Sequence, residues 1–182
     1  MAGSGVLVVA ATGRELVPVE EARTLVCGIG PVDAAIATAR ALVEERPRAV
    51  LHVGIAGARG LEPLTLVLGS EALYCDAAGP LVAATALPAA DLLSRLRTAF
   101  PEASVQPIGT SARVGGSRDI NVEAMEGFAV LRACELAGVP AVEVRVVSNE
   151  IGEPDRALWQ FDEAFAALGE MLPRLVAVAS SA

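Results

Sequence analysis

Short apolar runs and amphipathic stretches alternate along this chain of 182 residues. Apolar runs bounded by glycine, proline or polar residues predict strands at 6–10, 23–26, 49–53, 65–68, 71–75, 81–84, 104–108 and 141–147. Apolar residues at helical spacing predict helices at 31–45, 88–100 and 122–137, and after Asp155 a C-terminal helix interrupted by Pro173. This alternation predicts an α/β fold: a single three-layer α/β/α domain, residues 1–182, with a central, mostly parallel or mixed sheet.

The predicted helix 122–137 and the strand that follows it carry polar residues that could have a chemical role. Gly138 suits the left-handed position that closes a helix. Asn149 comes just past the last predicted strand, and ligands of parallel α/β sheets bind outside the carboxyl ends of strands. Glu123 and Glu126 lie in the first turn of the predicted helix. Acids there commonly serve the helix dipole, and asparagine commonly serves a turn, so position alone leaves structural and catalytic roles open.

Composition and charge exclude several classes of protein. The chain is 53% hydrophobic with a mean hydropathy of +0.52, yet no apolar run approaches the ~18 residues of a membrane span. The net charge is −8, all 14 basic residues are arginine, and no basic stripe exists, so neither nucleic acid nor membrane is an expected partner. Residues 1–10 lack the basic start of a signal peptide, which predicts a cytoplasmic protein.

The cysteines and the single histidine do not form a metal-binding pattern. Cys27, Cys75 and Cys134 are far apart, odd in number and without C-x-x-C spacing, so we predict small buried hydrophobes. His52 lies in a predicted strand, where a satisfied core residue is more common than a ligand. We therefore expect no metal and no cofactor.

Three motifs carry a resemblance to a known family. They are Met-Glu-Gly at 125–127, R-x-x-S-N at 145–149 and G-x-x-D-R-x-x-W at 152–159. In them the chain resembles the nucleoside phosphorylase/nucleosidase (phosphorylase-I-like) family, and the third motif is most similar to its futalosine hydrolase branch. The resemblance implies a nucleoside phosphorylase-like fold and paired subunits. The high apolar content is compatible with such a homo-oligomer, a dimer or higher.

The resemblance also implies a set of catalytic and substrate-binding residues. Glu15, in the loop after the first strand, would hold the attacking water. Glu126 would accept both hydroxyl hydrogens of a ribose, and Arg145 would anchor the water or Glu15. The substrate-binding positions would be Met125, Gly54, Ile55, Ala56, Gly57 and Ser148. Residues 54–57 are expected to form a turn whose backbone approaches the sugar.

Two positions indicate the nucleophile, and one indicates the base. Members that use phosphate carry arginine and serine where this chain has His52 and Ile55. Because isoleucine cannot bind phosphate, water is the expected nucleophile. At the position of Asn149, members that act on adenine nucleosides usually carry aspartate. An amide can accept from the N7–H of a purine while donating to a 6-oxo group, which fits hypoxanthine.

These residues predict a nucleosidase that hydrolyses the N-ribosidic bond of a 6-oxopurine nucleoside. The preferred substrate is futalosine, cleaved to hypoxanthine and dehypoxanthine futalosine in menaquinone biosynthesis. Three alternatives stay open: a purine nucleoside phosphorylase, a methylthioadenosine/S-adenosylhomocysteine nucleosidase-like enzyme, and a catalytically silent nucleoside-binding relative. Turnover of futalosine or inosine with and without phosphate would separate these possibilities.

Overall fold

A computed structural model describes residues 5–77, 79–117 and 119–181. In these residues eight strands form one mixed sheet, and four α-helices cover its two faces. The strands are β1 (Val6–Ala10), β2 (Ala22–Val26), β3 (Ala49–Ala58), β4 (Leu66–Tyr74), β5 (Thr85–Ala86), β6 (Ser104–Thr110), β7 (Val122–Ala124) and β8 (Ala141–Glu150). The helices are α1 (Pro31–Glu45), α2 (Ala90–Ala99), α3 (Gly127–Ala137) and α4 (Phe161–Ser180).

The sheet combines a parallel half with a closed ring of strands. β2, β1, β3 and β8 lie side by side and are parallel, as expected for strands connected through helices. β8 also pairs antiparallel with β4, β4 pairs with β6, β6 pairs with β7, and β7 returns to the end of β3. This closes a ring of five strands. The predicted α/β fold with a mixed sheet is confirmed, and the ring places β7 beside the carboxyl end of β3.

Two pairs of helices cover the opposite faces of the sheet. α2 and α4 pack over a core that includes Val142, Val144 and Val146 of β8. α1 and α3 pack together on the other face, over a core that includes Ala141. Because side chains alternate along a strand, Glu143 and Arg145 also point toward the α1–α3 face. Two charged side chains are thereby buried near the start of α3.

The helix predicted at 122–137 is only partly correct. Val122–Ala124 forms β7, pairing with β3 and β6, and the helix begins at Gly127. Glu123 is therefore a strand residue, and Glu126 lies at the N-cap rather than in the first turn. Three buried residues can complete one turn of a helical pattern as easily as a short strand, so periodicity did not separate the two. Gly138 closes the helix with φ 68°, as predicted.

Several strands differ from their predicted extent. Residues 54–57 were expected to form a turn, but they continue β3, which extends to Ala58 with an irregularity between Ala56 and Gly57. Ser148 and Asn149 lie inside β8 rather than past its end. The strands predicted at 65–68 and 71–75 are one strand, β4. No strand forms at 81–84, where the chain instead leads into the two residues of β5. Pairing with neighbouring strands of the ring extends β3, β4 and β8 beyond the apolar residues from which they were predicted.

The C-terminal segment forms a short turn and then a long helix. Residues Arg156–Leu158 make one 3-10 turn, and α4 runs through Pro173 without ending, so the expected interruption there is wrong. Among the described residues, no helix combines the length and apolar character needed to cross a membrane.

Candidate active site

A cavity of about 390 Å³ opens where the carboxyl ends of β1, β3 and β8 meet β7 and the start of α3. Ligands of open α/β sheets commonly bind at such an edge. Most of the predicted site residues line it, namely Glu15, Ile55, Ala56, Gly57, Met125, Glu126, Arg145, Ser148 and Asn149. Gly54 is not among the lining residues. Segments far apart in sequence thus meet at one cavity.

Glu15 ends a 3-10 turn that follows β1. Its carboxylate reaches back to the start of this turn, where Oε2 accepts from the backbone N–H of Thr12 at 2.8 Å and from the Thr12 hydroxyl at 3.1 Å. Oε1 lies 3.4 Å from the backbone nitrogen of Ile55 on β3. Only 6% of the residue is exposed. The local turn therefore fixes one oxygen and directs the other toward β3 and the cavity.

Glu126 is held at the junction between β7 and α3. Its Oε1 accepts from the backbone N–H of Gly30 at 2.9 Å, and Oε2 lies 3.7 Å from Nη2 of Arg145. Gly30 immediately precedes α1, so the carboxylate links the starts of the two helices on this face. Burial raises the pKa of Glu126, an effect partly offset by the positive charge of Arg145 and the Gly30 hydrogen bond.

Arg145 lies at the centre of a buried cluster with Glu143 and His52. Its Nε donates to Oε1 of Glu143 at 2.9 Å, and its Nη2 contacts Nε2 of His52. The Nδ1 of His52 lies 3.0 Å from the carbonyl oxygen of Val9. A carbonyl only accepts, so Nδ1 carries the hydrogen and Nε2 is left as the acceptor for Arg145. His52 is thus a satisfied core residue, as predicted from its position.

The electrostatics of this cluster follow from burial and one shared cation. Burial, with the charge of Arg145, lowers the pKa of His52 well below its ordinary value, so the imidazole is neutral. Burial raises the pKa of Glu143 despite its hydrogen bond to Arg145. Burial alone would lower the pKa of Arg145, but Glu143, Glu126 and Glu15 outweigh it and raise that pKa. The guanidinium therefore stays charged among three carboxylates.

Two glycines make room for these side chains. A β-carbon on Gly54 would overlap Nη1 of Arg145 and lie 2.6 Å from Oε1 of Glu15. A β-carbon on Gly127 would overlap the carboxylate of Glu143. The glycine of the Met-Glu-Gly motif is therefore required by a residue of β8. The expected approach of the Gly54 backbone to a sugar stays a prediction.

Ser148 and Asn149 form a hydrogen-bonded pair at the end of β8. The Ser148 hydroxyl lies 2.8 Å from Oδ1 of Asn149 and 3.2 Å from the carbonyl oxygen of Ala56, and it can donate to either. Nδ2 of Asn149 donates to the carbonyl oxygen of Glu150 at 3.1 Å. These contacts orient the amide and leave one N–H and one lone pair for a ligand.

Glu123 has a role that the sequence did not reveal. Its carboxylate accepts from the backbone N–H groups of Gly115 and Ser117, the latter at 2.8 Å. Val114, in the same loop, lines the cavity. Glu123 itself is buried and lines the cavity as well, so it anchors a loop that forms part of the cavity wall.

Aromatic and basic side chains form another part of the cavity lining. They belong to Arg14, Arg156, Trp159, Phe161 and Phe165. The guanidinium of Arg14 lies 4.6 Å from the ring centre of Phe165, and that of Arg156 lies 5.4 Å from the ring centre of Trp159. Trp159, the last residue of the G-x-x-D-R-x-x-W motif, therefore lines the cavity.

The described residues contain no cluster of histidine, cysteine, aspartate and glutamate that could hold a metal. Cys27 and Cys134 are buried as predicted, and burial is the main reason their pKa rises to about 12. Cys75 is half-buried, so the prediction for that residue is only partly correct.

Comparison with known proteins identifies the family. Residues 6–115 match the Phosphorylase superfamily. The chain is 33% identical to a futalosine hydrolase of Streptomyces coelicolor, across 86% of this chain and 79% of that protein. The chain belongs to the phosphorylase superfamily, in its futalosine hydrolase branch.

Two solved structures of this superfamily fold show the same architecture. A methylthioadenosine/S-adenosylhomocysteine nucleosidase of Colwellia psychrerythraea has a TM-score of 0.85 at 18% identity, with 97% of this chain and 96% of that chain covered. A futalosine hydrolase of Helicobacter pylori also has a TM-score of 0.85, at 15% identity, with 96% and 97% covered. At these identities the likeness concerns the fold alone, and it is equal for the two activities.

Sequence reasoning missed three residues of the futalosine hydrolase-like site: Glu143 and His52 as partners of Arg145, and Glu123 as the loop anchor. The sequence did contain a signal for Glu143, because Glu143 and Arg145 stand two residues apart in an otherwise apolar strand. Such a pair faces the same side, and buried charges require partners. His52 and Glu123 offered no comparable local signal, since their partners lie on other segments.

Proposed function

We propose that this protein is a nucleosidase that hydrolyses the N-ribosidic bond of futalosine and releases hypoxanthine. The observation that carries the proposal is the convergence of Glu15, Glu126, Arg145 and Asn149 on one cavity. Loss of a purine from ribose develops positive charge on the sugar, so a site needs anionic groups near the ribose and a group that orients water. The name of the Streptomyces coelicolor relative supports futalosine as the substrate.

The roles of the acids follow from which oxygens are already engaged. Oε1 of Glu126 is bonded to the N–H of Gly30, which leaves Oε2 and the remaining lone pairs for ribose hydroxyls. Oε2 of Glu15 is bonded to Thr12, and Oε1 accepts a longer bond of 3.4 Å from the N–H of Ile55, which leaves one lone pair of Oε1 for a water molecule. Arg145 lies between the two acids, and its positive charge favours the ionised form of Glu126 near a developing cation. These interactions strengthen as charge develops on the sugar, so they stabilise the transition state.

Asn149 is the residue that selects the base. Its contacts with Ser148 and Glu150 leave one donor and one acceptor directed at a ligand. The acceptor receives the N7–H of the departing hypoxanthine, and the donor binds its 6-oxo group. A 6-amino purine would place a donor against this N–H, and a mismatched buried donor discriminates strongly.

The nucleophile is water rather than phosphate. His52 is fully buried, does not line the cavity, and uses Nε2 to accept from Arg145. Ile55 lines the cavity with an aliphatic side chain. The positions that would carry phosphate-binding arginine and serine therefore offer no donor from either side chain.

The test uses chromatography to measure the release of hypoxanthine from futalosine in phosphate-free buffer. We expect the same rate with and without added phosphate, and 18O from labelled water in the sugar product. A rate that depends strictly on phosphate, with a sugar 1-phosphate product, would establish a phosphorylase. Cleavage of methylthioadenosine in preference to futalosine would establish the 6-amino alternative. No product from either substrate would indicate a silent nucleoside-binding relative.

The protein also acts as a homodimer through the face formed by α1 and α3. Val32, Ile36 and Val43 of α1 and Leu136 of α3 are each at least 66% exposed. They surround an apolar groove of about 930 Å³. Phe128 and Tyr74 also line this groove, and the centres of their stacked rings are 5.1 Å apart. A continuous apolar strip on two adjacent helices suits isologous pairing with a second copy.

Light scattering after size-exclusion chromatography tests this interface. The wild type should run as a dimer, and Ile36→Glu should run as a folded monomer. Leu81→Glu is the matched control, because Leu81 is an exposed leucine outside the groove. A monomeric wild type, or an Ile36→Glu protein that stays dimeric, would contradict this interface.

A further inference from the structure

The three nitrogens of the Arg145 guanidinium each face a different partner. Nε donates to Glu143, Nη2 contacts His52 and lies near Glu126, and Nη1 packs on Gly54 close to Glu15. Two of these partners, Glu126 and Glu15, line the cavity, whereas His52 and Glu143 do not. His52 and Glu143 therefore bind the guanidinium on the side away from the cavity, and Glu126 and Glu15 lie on its cavity side.

Pairing between β3 and β8 sets this arrangement. In the parallel ladder His52 is the partner of Glu143, and Gly54 is the partner of Arg145. Side chains two residues apart on a strand share a face, so His52, Glu143 and Arg145 meet above the sheet. Gly54 supplies the space into which the guanidinium extends. A change of register in this ladder would dismantle the whole cluster.

Charge balance alone does not account for Glu143 and His52. Glu15 and Glu126 already provide two carboxylates for one arginine, so a third acid is not needed to neutralise it. Oε2 of Glu143 is buried and accepts no hydrogen bond among the described residues. His52 is held neutral with Nε2 as an acceptor, so it contributes direction and no charge. Both residues offer acceptors at fixed points around the guanidinium.

We propose that Glu143 and His52 are positioning residues that fix the orientation of Arg145, so that its Nη2 faces Glu126 and its Nη1 faces Glu15. This inference rests on the proposed nucleosidase function. The acceptor on Glu143 determines the direction of the Nε–H bond and hence the plane of the guanidinium. A plane that tilts away from Glu126 leaves that carboxylate misplaced against the ribose. Misplacement of a catalytic group by ~1 Å costs about 100-fold in rate.

Three variants of β8 test the role of Glu143. Glu143→Leu removes the acceptor at similar size, and Glu143→Gln restores an acceptor without the charge. Val144→Ala is the control, since Val144 packs on the opposite face in the core with α2 and α4. For Glu143→Leu we expect kcat to fall about 30- to 300-fold while KM changes less than about threefold. Glu143→Gln should recover to within about tenfold of the wild type.

The control separates positioning from stability. Val144→Ala should lower the melting temperature and leave kcat per folded molecule unchanged, because Arg145 is untouched. Glu143→Leu loses a buried hydrogen bond to Arg145, so it should also lower the melting temperature, but unlike Val144→Ala it should show a large loss of kcat per folded molecule. Wild-type kcat in Glu143→Leu, or an equal loss in Glu143→Leu and Glu143→Gln, would overturn the positioning role.

Crystal structures of the wild type and Glu143→Leu keep this inference distinct from the proposed function. We expect the guanidinium of Arg145 to move away from Glu126 in the variant. If the wild type releases no base, the proposed function fails, and this displacement alone decides the positioning role. An unmoved guanidinium would refute it. His52→Gln, which also retains an acceptor toward Nη2, should keep the wild-type orientation, whereas His52→Leu should not.

Discussion

The packing of Arg145 and Glu15 on Gly54 gives a sharp mutational prediction. A β-carbon at this residue would overlap Nη1 of Arg145 and lie 2.6 Å from Oε1 of Glu15. Gly54 is an interior residue of β3 without a positive φ, so Gly54→Ala adds steric conflict and no backbone strain. The effect of the substitution should come from the two displaced side chains.

Neither side chain can move away at low cost. Arg145 is bonded to Glu143 and His52, and Glu15 is bonded to Thr12. Overpacking a core costs roughly 1–3 kcal/mol, and losing a hydrogen bond to a charged group adds about 1.5–3 kcal/mol. We expect the free energy of unfolding to fall by about 2.5–6 kcal/mol, which lowers the melting temperature by roughly 5–24 °C. Displacing either group by ~1 Å should lower kcat at least about 100-fold.

Thermal unfolding by circular dichroism and steady-state hydrolysis of futalosine measure the two effects. Gly13→Ala is the matched control, because Gly13 has open space around its α-carbon and no positive φ. It lies in the same turn as Glu15 and should be close to the wild type in both assays. A Gly54→Ala protein with wild-type melting temperature and turnover would show that Arg145 and Glu15 do not pack on this residue.

Three further predictions concern the cavity. Glu126→Gln keeps an acceptor for Gly30 but turns an amide toward Arg145, so kcat/KM for futalosine should fall by about 10²–10⁴-fold; near-normal kcat would exclude a ribose contact. Asn149→Asp places an oxygen against the carbonyl of Glu150 and removes the donor to the 6-oxo group. The ratio of kcat/KM for futalosine to that for methylthioadenosine should then fall at least about tenfold, and an unchanged ratio would refute base selection by Asn149. Because burial raises the pKa of Glu126, and the ionised form is active, activity should be lost as pH falls through that raised pKa. An acidic limb of kcat/KM that stays at the ordinary value for glutamate would contradict this assignment.

Local chemistry in the sequence determined much of the fold. Strand β1, helix α1 and the glycine that closes α3 match their predictions, because each depends on short-range apolar spacing or on a backbone angle. The alternation of strands and helices was enough for the fold class. The motifs were enough to direct attention to Glu126, Arg145 and Asn149, which all line the cavity.

Other features depended on segments that meet only in the folded chain. Val122–Ala124 is a strand because β3 and β6 lie on either side of it, and residues 54–58 stay extended because β7 and β8 pair with them. No local pattern encodes those neighbours. Spacing alone therefore predicted a helix start at 122, and the family resemblance predicted a turn at 54–57.

The same division holds for the site. Motifs in the sequence, through their resemblance to the nucleosidase family, singled out acids, an arginine and an amide whose types suit nucleoside hydrolysis, since chemical type is a property of each residue. Only the tertiary structure showed that His52 and Glu143 hold Arg145, and that Gly54 and Gly127 lack side chains because charged groups occupy that space. Hydrogen-bond direction and steric exclusion depend on distances across strands. Those distances are fixed by the register of β3 against β8.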